Sequence, residues 1–301
     1  MMRAYDIRLI LTLLFGLLLS SACTSDAAEV VDRRTPGVPA VLFVGNSFTQ
    51  GSYAQIQRYG SAGVTDLNRQ DTGGVPGMFK LFTQQAGLDY AVYQETSLGV
   101  DLDWHARIKP EVFQQPWDVV VIQEYSLLNA RSAMDSKISI QSINSITEAL
   151  KRANPDVTIH LMVNWARADQ IFIPSGLWHG KPPADAFDAM ATAFADLKAR
   201  TPLVDRLIPV GPAWKNAIEQ GVARANPYDT ARNQAVSLWT SDNVHASPYG
   251  HYLQTLVIFG ALTGQDPRSL GENEQVARDF SLRPEVTQRM KAVAAETLGL
   301  D

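Results

Sequence analysis

A serine, an aspartate and a histidine could carry chemistry in this chain. Ser47 stands in VLFVGNSFT (Val41–Thr49), where Val41 to Gly45 read as a short buried strand and the apolar run then stops. Gly45 lets the backbone turn without a Cβ penalty. Asp242 and His245 stand three apart in TSDNVHASPYGHY (Thr240–Tyr252). An acyl-transfer serine needs a base to take its proton. The base needs a carboxylate that fixes its tautomer and stabilises its cation. The order Ser, Asp, His supplies all three if the late loop folds over the end of the first strand. Taken alone, Asp242 and His245 are also what an ordinary turn and helix entry would use. No G-x-S-x-G elbow is present, since Thr49 stands at its fifth position, which argues against a standard α/β-hydrolase.

The elements that must position these groups alternate along the chain. Apolar runs predict strands at Val41–Gly45, Asp89–Gln94, Trp117–Ile122, Val157–Val163 and Leu207–Val210. Between them, apolar residues spaced three and four apart predict helices over Met78–Gln85, Asp135–Ala153, Ala184–Arg200 and Pro212–Gln220. A last helix, Ser247–Thr263, is entered through Ser247 as cap and Pro248. Gln50–Pro76 is rich in glycine and reads mostly as a loop forming one wall of a site. Alternation of this kind predicts a single α/β domain: a flavodoxin-like α/β/α sandwich with a five-stranded parallel sheet, residues 40–301. In strand order 2-1-3-4-5 the crevice opens between the ends of strands 1 and 3. Ser47 and Gln123 end those two strands, and Gly99 lies past strand 2.

The GNSFT block followed late by DNVHASPYGHY resembles the SGNH/GDSL hydrolase superfamily, from about Val41 to Thr263. The resemblance implies a serine esterase acting on a small acyl ester, possibly on a carbohydrate, with Ser47 as nucleophile, His245 as base and Asp242 as its orienter. No cofactor is implied. Asn46 stands where the superfamily often has aspartate. The superfamily also implies an oxyanion hole from the Ser47 N–H, a glycine after the second strand and an asparagine after the third. The glycine maps to Gly99, with Gly73 or Gly74 as alternatives. The third block is absent: Gln123-Glu124-Tyr125-Ser126 follows the strand, so the expected donor is the Gln123 amide, which can donate as asparagine does. Asn129 is the alternative.

Asn164, Trp165 and Arg167 leave the fourth strand on the same side and, with Asn46, are the expected substrate contacts. Trp165 could stack on a sugar, and Arg167 could pair with Asp169. Glu95 and Glu124, both at strand ends, could instead be a glycosidase carboxylate pair. His105 could line the pocket or pack in the core. No histidine has a partner at metal-ligand spacing, so no metal is expected. A lipid-anchored ligand- or carbohydrate-binding protein on the same fold is the rival reading, favoured by the missing third block.

Net charge is −5 with no basic block, which argues against nucleic acid as a partner. Arg3 and Arg8 flank an apolar Leu9–Leu19, too short for the ~20 residues of a membrane span. Ser20-Ser21-Ala22-Cys23 follows, and this start resembles a bacterial lipoprotein signal. Residues 1–22 are then a signal peptide and 23–39 a tether. The chain is expected to be exported and held at a membrane, on its periplasmic or cell-surface side, only through lipid on Cys23. One cysteine allows no internal disulfide.

Overall fold

The computed structural model describes residues 37–129, 131–229 and 235–300. The expected signal peptide, Cys23 and most of the expected tether lie outside the described residues. The strands are β1 (Ala40–Gly45), β2 (Val64–Asp66), β3 (Ala91–Thr96), β4 (Val119–Ile122), β5 (Thr158–Met162) and β6 (Arg206–Ile208). They form one all-parallel sheet in the order β2-β3-β1-β4-β5-β6. The expected five strands are present in the expected relative order. The sixth, β2, is a correction: it is three residues long and comes from the Gln50–Pro76 stretch read as a loop.

The helices are α1 (Ser47–Gln50), α2 (Gly74–Gln85), α3 (Leu102–Ile108), α4 (Lys137–Ala153), α5 (Ala168–Phe172), α6 (Pro183–Arg200), α7 (Val210–Glu219), α8 (Pro248–Thr263), α9 (Gln275–Asp279) and α10 (Pro284–Leu298). α4 packs against α3 and touches α6, while α2, α7 and α10 pack around α8, and α6 also meets α7. With both faces covered, every residue of β1 is buried, which is why it reads as an unbroken apolar run. α8 is capped by Ser247, whose hydroxyl accepts the Gly250 N–H at 3.2 Å. It is buried without a break from Gly250 to Gly260 rather than along one stripe, because α7 and α10 cover the side a surface helix would expose.

Register sets up the site. Gly45 pairs with Thr96, and the Gln123 N–H bonds the Val44 carbonyl at 2.9 Å. The Asn46–Gln50 turn, the Ser97–Asp101 loop and the Gln123–Ser126 segment therefore leave three adjacent strands at one level. This is the carboxyl edge of the sheet where the strand order reverses, the place where such folds open a crevice.

Candidate active site

Ser47 follows β1 at the first residue of the one-turn helix α1. Asn46 caps that turn: its Oδ1 accepts the Phe48 N–H at 3.1 Å, while its Nδ2 donates to the Val100 carbonyl at 2.9 Å. The turn is also held from beneath. Gln123 Oε1 accepts the Asn46 N–H at 2.9 Å and the Thr49 hydroxyl at 3.1 Å, and Gln123 Nε2 donates to the Glu124 carbonyl. Gly45 makes this possible, since a Cβ there would stand 2.5 Å from Gln123 Oε1.

The loop after Trp239 brings the other two groups. Asp242 Oδ1 accepts the Thr240 hydroxyl at 2.6 Å and the Val244 and His245 N–H groups at 2.9 Å each. Its Oδ2 lies 2.6 Å from His245 Nδ1, and His245 Nε2 lies 2.9 Å from Ser47 Oγ. Burial alone pushes the Asp242 carboxyl up. The Thr240 hydroxyl, the two backbone N–H groups and the His245 ring outweigh it and hold the group down to about 2. A carboxylate only accepts, so the imidazole proton belongs on Nδ1 and the Nε2 lone pair faces the serine hydroxyl.

Two tryptophans anchor this loop to the end of β5. Trp165 Nε1 donates to the Val244 carbonyl at 3.1 Å and Trp239 Nε1 to the Ala166 carbonyl at 3.1 Å. The Trp165 ring is fully buried, stacked between Phe48 at 4.0 Å and Trp214 at 4.6 Å. It thus couples the residue after the serine to the residue before the histidine.

Ser47 and His245 open into a cleft of about 240 Å³, whose lining includes Asn46, Tyr53, Gly99, Tyr125 and Arg167. Neither the Ser47 nor the Gly99 N–H has an acceptor among the described residues. Gly99 takes φ +70°, a left-handed turn that suits glycine. Arg167 lies in the cleft wall with its guanidinium paired to Asp169 through two contacts, 2.9 and 2.7 Å, and a longer one to the Ser126 hydroxyl at 3.3 Å. A larger cleft of about 390 Å³ lies between Pro110–Gln114 and α4, with neither a serine–histidine pair nor a carboxylate on its walls.

Several expected contacts fall elsewhere. Gln123 is buried under the nucleophile turn with its amide bonded to main chain, so it does not present a donor to the cleft. Trp165 is a core buttress and offers no face to a sugar. Asn164 is also buried, its Nδ2 donating to the Glu124 and Tyr125 carbonyls at 2.9 and 3.1 Å. Glu95 and Glu124 are fully buried and absent from the cleft lining, so they do not form a glycosidase pair there. Glu95 Oε1 instead meets His105 Nδ1 at 3.1 Å, and His105 Nε2 meets the Gly45 carbonyl at 3.1 Å, beneath the nucleophile strand. Of Gln50–Pro76 only Tyr53 reaches the cleft lining; the stretch is mostly turn and loop, as expected, but apart from Tyr53 it does not form a wall of the cleft, and it also supplies β2 and the start of α2. Tyr53, Leu98, Tyr125, Ser126 and Val244 were not readable as lining from spacing. The only signal for them was adjacency to a strand end, to Ser47 or to His245.

No family model matches the chain, and no curated protein matches it. Solved structures do. A DUF4886 family protein from Bacteroides uniformis superposes with TM-score 0.60 at 14% identity, over 87% of this chain and 95% of that one. Acetylxylan esterase Axe2 from Geobacillus stearothermophilus gives 0.46 at 17%, over 77% and 94%. The psychrotrophic esterase EstA from a Pseudoalteromonas species gives 0.46 at 11%, over 75% and 97%. The Bacteroides protein and this chain share a fold.

Proposed function

We infer that the protein is a serine ester hydrolase of SGNH type acting on a small acyl ester. One observation carries this reading: His245 Nε2 stands 2.9 Å from Ser47 Oγ while Asp242 holds Nδ1 at 2.6 Å. Ser47 Oγ attacks the acyl carbonyl carbon, and its proton passes to His245 Nε2. Asp242 holds the resulting imidazolium. The carbonyl oxygen, now an oxyanion, takes hydrogen bonds from the Ser47 and Gly99 N–H groups. Collapse breaks the bond to the alcohol oxygen, which leaves with the proton from Nε2. Water, deprotonated by His245, then attacks the acyl-enzyme, releases the acid and restores the serine. Arg167 supplies polar contacts to the substrate, while Asn46, expected as a contact, has both side-chain polar atoms bonded to main chain and holds the turn instead.

The test is hydrolysis of a chromogenic acetyl ester by wild type and by Ser47→Ala. Activity lost in the variant supports the mechanism, and activity that survives removes it. A ligand-binding protein without turnover is the second reading. It is favoured by the burial of Gln123, which leaves two backbone donors in place of three. It is adopted if wild type hydrolyses no ester.

Export and lipid anchoring through Cys23 belong to the same proposal. Among the described residues no helix is long and apolar enough to cross a membrane. Replacement of Cys23 by serine should move the protein from the membrane fraction to the soluble one. An unchanged distribution would remove the anchor.

A further inference from the structure

Tyr53 takes no part in the mechanism above, yet it is a bulky residue in a left-handed backbone conformation on the wall of the cleft. Its φ is +64°, a left-handed conformation that bulky side chains avoid and that persists only where the surrounding structure holds it. Among the described residues Tyr53 is the most exposed large apolar or aromatic residue, at 71%. The ring is nevertheless placed. It lies on the His245 imidazole with centroids 4.3 Å apart and 28° between the planes. The turn beneath it is pinned, because the Gly51 and Ser52 N–H groups both donate to the Ser47 carbonyl, at 3.1 and 3.2 Å. The Ser52 hydroxyl adds a bond to Gln50 Oε1 at 2.9 Å. One face of the ring therefore covers the base, and the other is open at the cleft.

Reaction chemistry fixes what passes that open face. His245 Nε2 must return its proton to the departing alcohol oxygen, so the alcohol half of the ester lies within hydrogen-bond reach of Nε2. The carbonyl oxygen points away, toward the Ser47 and Gly99 N–H groups. The alcohol half then runs along the Tyr53 ring. The cleft wall also includes Arg167 and Ser126. The Arg167 charge is already matched by the two-point contact to Asp169, so that wall offers hydrogen bonds to neutral hydroxyls rather than a site for an anion.

We propose that Tyr53 is the alcohol-side subsite and that it selects esters of a neutral ring alcohol, a saccharide whose C–H face stacks on the tyrosine, over esters of acyclic alcohols. The proposal rests on the ester-hydrolase reading of the same site.

Acetyl esters of different alcohols share one acyl-enzyme, so kcat/KM compares them only in the steps where the alcohol is still present. The assay measures kcat/KM for an acetylated xylopyranoside and for ethyl acetate with wild type, Tyr53→Phe, Tyr53→Leu and Tyr53→Ala. The expected result is a fall of about tenfold in the ratio of ring ester to acyclic ester in Tyr53→Ala and Tyr53→Leu, carried by KM, with the ratio kept in Tyr53→Phe. Tyr53→Leu retains bulk without a flat face and covers the case in which Tyr53→Ala folds poorly. If both esters fall together and the ratio stands, Tyr53 serves only to hold His245 and the proposal is overturned while the esterase reading survives. If wild type turns over neither ester, or Ser47→Ala turns over both, the esterase reading itself has failed and the subsite falls with it.

Discussion

Raising the pH from 5 to 8.5 should cost the fold about 3 kcal/mol through one side chain, Glu124. Its carboxyl is fully buried. Oε1 accepts the Tyr125 N–H at 2.6 Å and the Leu102 N–H at 3.2 Å, and Oε2 has no partner among the described residues. Burial pushes the group up from its ordinary 4.5 to about 7, against the pull of those two N–H donors and of the nearby Ser139 hydroxyl. Between these values the folded chain keeps a proton that the unfolded chain has released. The stabilisation is therefore complete below pH 4.5, declines as the pH rises through the window, and is gone above 7. At about 1.4 kcal/mol per pH unit, the window amounts to roughly 3 kcal/mol. Glu124→Gln copies the protonated state, with one oxygen for both N–H groups and a donor on the other side. Urea unfolding of both proteins at pH 5 and pH 8.5, followed by tryptophan fluorescence, isolates the effect because every other titration is shared. Wild type should lose about 3 kcal/mol more than the variant over that range. Parallel losses, within about 0.5 kcal/mol, would refute the placement of an unpaired carboxyl oxygen there.

Two further substitutions probe the site. Asp242→Asn keeps an oxygen for the Thr240, Val244 and His245 donors but turns an amide donor toward Nδ1. The imidazole proton then moves to Nε2, where it faces Ser47 with the wrong polarity. The expected loss is about 10⁴ in kcat with little change in melting temperature, and a loss under tenfold would contradict the triad. Gly45→Ala would place a Cβ 2.5 Å from Gln123 Oε1 and displace the amide that binds the Asn46 N–H. Leaving that buried donor unpaired should cost about 1–3 kcal/mol. Calorimetry should show a melting temperature several degrees lower, and a variant that melts with wild type would show that the turn does not depend on Gln123.

What the sequence made legible is what depends on neighbours along the chain. The β1 run is apolar because both its faces are covered, and Ser47 follows where that requirement ends. Asp242 and His245 are three residues apart, so their contact is set by one turn, with Asn243 at φ +62° supplying the left-handed step. Trp165 and Gln123 were legible only as residues at strand ends. Whether a strand-end side chain turns to the cleft or to the core is decided across the sheet. For Gln123 the deciding feature is the missing Cβ of Gly45 on the neighbouring strand. For Trp165 it is the slot between Phe48 and Trp214, residues far away in sequence. β2 is too short to show a period, and α10, which buries the outer side of α8, is foreshadowed only by the run Leu256–Phe259, which puts apolar residues on every side of that helix.

The position of Gln123 changes how the oxyanion would be held. Removing one donor from such a hole typically costs about 3–4 kcal/mol of transition-state stabilisation, so two backbone donors must be used well. The Ser97–Asp101 loop that carries Gly99 is tied at three points. The Ser97 N–H donates to the Gly45 carbonyl at 3.1 Å, Asn46 Nδ2 to the Val100 carbonyl at 2.9 Å, and the Leu102 N–H to Glu124 Oε1 at 3.2 Å. Two of those ties begin in the nucleophile turn itself, and that turn is clamped from below by Gln123. The Ser47 and Gly99 N–H groups therefore belong to one hydrogen-bonded unit, and their separation is fixed before substrate arrives. Preorganised donors cost no reorganisation at the moment charge develops. In this chain the third-strand amide would act on the oxyanion at one remove, by holding the turn that presents the donor rather than by donating.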